Sequence, residues 1–145
     1  MDMRDNLGYL LHHLSFVLAR QSDQVLQEQL GIGFSQFKIL LILEQSTAVR
    51  QRQIATKLGQ TEASISRQIK LLQENGTVTS QISPTNRREH ITKLTPKGVK
   101  VTEKAMEILN NYHLPIFNKL SERQQQQLRE LLTVMHDAAC RTNDH

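Results

Sequence analysis

Tryptophan is absent, aromatic residues make up only 4% of the chain, and proline occurs three times in 145 residues. What remains is rich in Leu, Ile, Gln, Lys and Arg, a balance that favours helices. A single cysteine, Cys140, excludes an intramolecular disulfide framework and fits a reducing cytoplasm. No apolar run approaches membrane-spanning length, so no membrane association is expected. The first residues, MDMRDNLGYLLHHLSF, carry early acids, and His12 and His13 interrupt the apolar run, which speaks against a signal peptide. A nucleophile elbow, a phosphate-cradling glycine loop and paired carboxylates in a catalytic context are all missing. An enzyme is not expected, and no cofactor is implied.

Positive charge is scarce outside the middle of the chain. Residues 50–100 hold ten basic side chains against Glu62, Glu74 and Glu89, whereas the rest holds eight basic and eleven acidic ones. A solvated charged face would not predict this segregation. Contact with phosphate would, through attraction and counterion release.

The basic region contains RQIATKLGQTEASISRQIKLLQENG, residues 52–76. Ile54, Ala55 and Leu58 form one short apolar edge, and Ile65, Ile69 and Leu72 form a second. Gly59 supplies a turn residue able to take a left-handed conformation, and Thr61 stands where an N-cap belongs. Gly76 is expected to close the second helix as a C-cap. The small Ala55, Gly59 four later and branched Ile65 six after that suit two helices crossing closely: a helix-turn-helix. Its second helix presents Glu62, Ser64, Ser66, Arg67 and Lys70 on the outward face, fit for a DNA major groove. Any helical hairpin packed in a small domain is the alternative.

The segment that follows favours the first reading. Val78–Ser83 and His90–Thr95 are rich in β-branched residues and flank the turn-forming, doubly cationic Pro84-Thr85-Asn86-Arg87-Arg88. A β-hairpin after a helix-turn-helix is a wing, and Arg87 and Arg88 at its tip suit phosphate or the minor groove. Thr61, Glu62, Ser64, Ser66, Arg67, Lys70, Arg87 and Arg88 are thus the candidate DNA contacts.

Around this head lie helices. Leu7, Leu10, Leu11, Leu14, Val17, Leu18, Val25, Leu26 and Leu30 predict one over about 5–30, stopped by Gly31-Ile32-Gly33. Ser35 is the expected N-cap of a second, over about 36–46, whose five successive apolar residues Ile39–Leu43 predict burial nearly all round. Thr95-Pro96 restarts a helix expected to run to about 112, with Pro115 marking a break or kink near His113-Leu114. Ser121 and Gln124 have the form of a capping box opening a last helix to about Cys140. The terminal helices have apolar faces but no sheet to cover. Pairing with a second copy is the expected solution, and it would set two recognition helices on two half-sites about one DNA turn apart.

The fold class read from this order is mainly α with a small β-hairpin wing. A winged helix-turn-helix (33–99) is flanked by N- and C-terminal dimerisation helices (1–32 and 100–145). On GFSQFKILLIL, QIATKLGQTEASISRQIKLLQENGTV and NRREHITKLTPKG, the chain resembles the MarR-type (multiple antibiotic resistance regulator) family over nearly its whole length. The resemblance implies a cytoplasmic homodimeric transcription factor, usually a repressor, binding a palindromic operator in double-stranded DNA. Release by a small aromatic or anionic effector, lodged between the dimerisation and DNA-binding regions, is also implied. Ser64, Ser66, Arg67 and Lys70 match the family's outward recognition-helix positions, and Arg88 matches its wing arginine. Asn86 departs from the family's aspartate: an amide can hold the turn but cannot pair ionically with Arg88.

The effector pocket expected from the ends of helices one and two and the start of helix five includes His13, Phe16, Val17, Arg20 and Phe37, which core and dimer contacts explain equally well. A ligand-independent regulator or architectural protein would share the basic head without a pocket. Metal sensing through the scattered His12, His13, His90, His113, His136 and His145 finds no diagnostic ligand spacing. Redox sensing by Cys140 is weakened because the family's redox branches place their cysteine in the first helix.

Overall fold

The computed structural model describes residues 2–46 and 48–142. Two compact units are distinguished, Met1–Leu109 and Asn110–His145.

In the first unit a short 3-10 turn, Met3–Asp5, leads into α1 (Leu7–Leu30), whose first turn is capped by Asn6 Oδ1 accepting from Tyr9 N–H at 2.9 Å. Gly31, at φ 68°, ends α1 in the left-handed region. Helix α2 (Phe34–Gln45) then buries Phe37, Ile39, Leu40 and Leu43 and packs against α1, α3, α4 and β3. The unbroken apolar run thus marks the central helix, as its sequence requires.

Ser35 does not cap α2. The helix begins one residue earlier, at Phe34, with Gly33 as N-cap. The Phe34 N–H donates to Asp23 Oδ1 at 2.9 Å, and the Gly33 N–H donates to Gln36 Oε1 at 3.3 Å. The capping carboxylate therefore arrives from α1, where its charge also favours the helix N-terminus.

A two-residue strand β1 (Val49–Arg50) precedes α3 (Gln51–Leu58), and α4 (Glu62–Glu74) follows. Gly59 turns the chain at φ 63°, and Thr61 Oγ1 accepts from Ser64 N–H at 3.1 Å. Ile54, Ile65, Ile69 and Leu72 are fully buried where the two helices cross, beside small Ala55. Asn75, not Gly76, is the C-cap of α4; Gly76 follows at φ 79°, the left-handed residue one position later.

The wing is β2 (Val78–Ile82) antiparallel to β3 (His90–Leu94), in register from Val78 opposite Leu94 to Ile82 opposite His90. Strand β1 pairs with the other edge of β3, with Val49 opposite Thr92 and Arg50 opposite Ile91. The hairpin expected from the sequence is therefore part of a three-stranded sheet in the order β1-β3-β2. This third strand ties the wing to the segment entering the helix-turn-helix.

Helix α5 (Pro96–Phe117) starts as expected, with Thr95 Oγ1 accepting from Gly98 N–H at 3.0 Å. The part of α5 in this unit contributes Ala105, Ile108 and Leu109 to the core, alongside Val25, Leu26 and the residues above.

In the second unit α5 continues through Pro115 to Phe117, so the break expected near 113–115 does not occur. Pro115 lacks the N–H that would reach Asn111, but Asn111 is exposed and water can serve its carbonyl. Helix α6 (Glu122–Thr142) opens on the expected capping box: Ser121 Oγ accepts from Gln124 N–H at 3.1 Å, and Gln124 Oε1 accepts from Ser121 N–H at 2.9 Å. The side chain of Gln125 donates to Phe117 O and Leu120 O, fastening the turn between the helices.

Candidate nucleic-acid interface

Helix α4 has one buried edge, Ile65, Ile69 and Leu72, so the opposite edge is fixed to face outward. Glu62, Arg67 and Lys70 are exposed there, and Ser64 and Ser66 are half-buried. Thr61 is exposed at the N-terminus, but its hydroxyl is engaged as the cap, and Ser64 Oγ donates to Gln60 Oε1 at 3.3 Å. The free cations of this face are Arg67 and Lys70. Among the described residues neither makes an ion pair within 4.0 Å.

At the wing tip Arg87 and Arg88 are likewise exposed. Asn86 shapes the tip: its Oδ1 accepts from Arg88 N–H at 3.0 Å and its carbonyl accepts from Glu89 N–H at 3.1 Å. It therefore holds the turn as an amide can. Behind the tip Ser83 N–H donates to Glu89 O at 2.8 Å, closing the loop.

Between wing and helix-turn-helix lies a cleft of about 280 Å³ lined by Arg50, Arg52, Glu62, Asn86, Arg88, Glu89 and their neighbours. Two ion pairs line it, the first joining β1 to the wing tip and the second joining α3 to α4. Arg50 Nε lies 3.1 Å from Glu89 Oε2, and Arg52 Nε lies 3.9 Å from Glu62 Oε1. The second is between side chains 80% and 64% exposed and contributes little. Sequence reasoning counted Arg50, Arg52 and Glu89 only as charge. The pairing of β1 with β3 brings Arg50 and Glu89 together, and a two-residue strand leaves no period to read.

The residues expected to line an effector pocket are spread. Phe37 is 4% exposed within the core of the first unit, Val17 is half-buried, and His13, Phe16 and Arg20 are exposed on α1. His13 stacks on Tyr9 with ring centroids 5.6 Å apart.

Among the described residues no three His, Cys, Asp or Glu side chains gather as a metal site would need; His145 lies outside them. His113 contacts Tyr112 and Phe117 edge-on, and burial lowers its pKa from the ordinary value. Cys140 is exposed, with its Sγ 3.5 Å from His136 Nε2. No helix among the described residues is long and apolar enough to cross a membrane.

A helix-turn-helix with a three-stranded wing, bearing cations on both reading elements, defines the winged-helix class. Residues 34–90 match the profile of the MarR family. Solved structures share the architecture well beyond that segment. A MarR transcriptional regulator from Methanosarcina mazei Go1 superposes with a TM-score of 0.86 at 22% identity, over 95% of this chain and 99% of that one. Wild-type MarR from E. coli in its apo form gives 0.80 at 22% identity, over 89% and 95%. A cysteine-to-serine mutant of E. coli MarR complexed with operator DNA gives 0.75 at 22% identity, over 89% and 92%. Likeness at this identity carries the fold. No curated protein matches the chain significantly in sequence.

Proposed function

We propose that this protein is a sequence-specific DNA-binding transcriptional regulator, a homodimeric repressor of a palindromic operator, relieved by a small aromatic or anionic ligand. The observation that carries DNA binding is the exposure of Arg67 and Lys70 on α4 together with Arg87 and Arg88 on the wing of the same unit. The operator complex of the E. coli relative, which has this fold, supports the same use of these surfaces. The dimer is supported by large apolar side chains left exposed on both terminal helices. Leu7, Leu14 and Phe16 on α1 are more than half exposed, as are Leu131 and Val134 on α6. Effector relief rests on the family resemblance, with His13, Phe16, Val17, Arg20 and Phe37 as the proposed lining. A cytoplasmic regulator without catalytic chemistry is the corresponding cellular role.

Selection of binding sites from a random duplex pool at near-physiological salt tests the core of this reading. An enriched palindrome with half-sites about one turn apart is expected. Binding without sequence enrichment, collapsing as salt rises, would point to an architectural protein instead. Arg67→Ala should weaken operator binding by more than about 1 kcal/mol and leave the dimer unchanged. Unaltered affinity would remove Arg67 from the interface. Arg88→Ala should lower both affinity and the slope of log K against log salt, by roughly one unit for a lost phosphate contact. A salt slope equal to wild type would reduce the wing tip to a solvated loop.

A further inference from the structure

Glu89 is an acid beside two arginines that face DNA in the proposed function, and on charge alone it should hinder binding. Its geometry says otherwise. Glu89 closes the tip through backbone bonds to Asn86 and Ser83, and its carboxylate, only 26% exposed, reaches Arg50 at 3.1 Å. Arg50 is itself fixed: it pairs with Ile91 across β1 and β3, and its N–H donates to Gln53 Oε1 at 3.0 Å in the first turn of α3. The tip is thus tethered to the start of the helix-turn-helix at the residue next to Arg88. Asn86 supplies no ion pair to aim Arg88, leaving this tether as the charged restraint on the loop among the described residues.

Resting on the DNA-binding reading, we propose that Glu89 is a positioning residue, which through Arg50 holds the wing tip so that Arg88 meets the duplex. Specificity follows from a fixed Arg88; a freed one would bind phosphate wherever it could reach. Arg50 tests this poorly by itself, because its cation can also touch phosphate directly. Glu89 tests it well, because electrostatics and positioning predict opposite signs.

The experiment measures binding of the full-length dimer to its selected operator and to a scrambled duplex over a range of salt. Glu89→Gln removes a negative charge, yet operator affinity should fall roughly two- to fivefold, the range of one partly exposed ion pair, while scrambled-duplex affinity holds or rises. In an Arg88→Ala background the same change should no longer weaken operator binding, which should hold or rise as it does for the scrambled duplex, since the residue it positions is gone. The exchanged pair, Arg50→Glu with Glu89→Arg, keeps the net charge and should recover operator binding. Operator affinity equal to or above wild type in Glu89→Gln would overturn the proposal, and so would an undiminished effect in the Arg88→Ala background. Backbone NMR order parameters of residues 85–88 in the DNA-free protein supply an independent readout: Glu89→Gln should lower them. If the wild type bound no duplex at all, the functional reading would fall. Unchanged order parameters would then overturn the tether as well.

Discussion

Gly98→Ala is expected to remove most of the protein's stability, with a loss of about 4 kcal/mol or more, the tail reserved for severe overpacking. A Cβ at this position would lie 2.0 Å from Thr77 O, 3.0 Å from Thr77 C and 3.2 Å from Leu94 Cδ2. Thr77 cannot step aside. It is 1% exposed, its N–H donates to Leu72 O, its hydroxyl bonds Leu72 O, and its carbonyl accepts from Thr95 N–H at 3.0 Å. Gly98 is held just as firmly, with its N–H on Thr95 Oγ1 and its carbonyl accepting from Thr102 Oγ1 at 2.7 Å. Here the end of the recognition helix meets the start of α5 backbone to backbone, and Lys97 Nζ adds a bond to Asn75 O. Separating them would break the bonds that cross the joint: Thr95 N–H to Thr77 O, Thr95 Oγ1 to Gly76 O and Lys97 Nζ to Asn75 O.

Urea unfolding of wild type and variant at matched protein concentration measures the loss as a fall in midpoint at constant slope. Gly8→Ala is the control. Its Cβ would meet only Asn6 Oδ1, at 3.4 Å, so it should be neutral or gain up to about 1 kcal/mol in helix propensity. A Gly98→Ala protein within about 1 kcal/mol of wild type would show that the joint yields, contrary to the cost assigned to overpacking.

What the sequence makes legible here is what is local. Gly59 and Thr61, Thr95 before Pro96, and Ser121 with Gln124 each complete their geometry within a few residues, and each stands in the structure where expected. The outward face of α4 was readable for the same reason, since three buried branched residues fix its rotation. The failures are non-local. Ser35 looked like a cap because the true acceptor, Asp23, lies eleven residues away on another helix. Strand β1 has two residues and exists only through β3. The Arg50–Glu89 tether depends on that strand, so the candidate site was visible in its exposed cations and invisible in what holds them. Pro115 misled differently. A proline inside a helix is costly where its orphaned carbonyl is buried, and Asn111 is exposed.

The second large effect should come from Leu131→Asp, which we expect to convert the proposed dimer to monomers and abolish tight operator binding. Helix α6 is 21 residues long, and among the described residues it buries none of its side chains within one chain. Yet Leu128, Leu131, Leu132 and Met135 recur at helical spacing along one stripe, with Leu131 63% exposed and Met135 45% exposed. Most of the stability of an amphipathic helix in a protein comes from packing its apolar face, so this stripe needs a cover. In a twofold dimer the same patch serves both copies, and one substitution removes two leucines from the interface. At about 2 kcal/mol per leucine, before the cost of burying a carboxylate, the dimer should weaken by about a thousandfold. A monomer offers one recognition helix to one half-site, so operator affinity should fall with it while single half-site binding persists. Sedimentation equilibrium at micromolar protein settles the point. A Leu131→Asp protein that sediments as the wild-type dimer would place the interface elsewhere on the terminal helices.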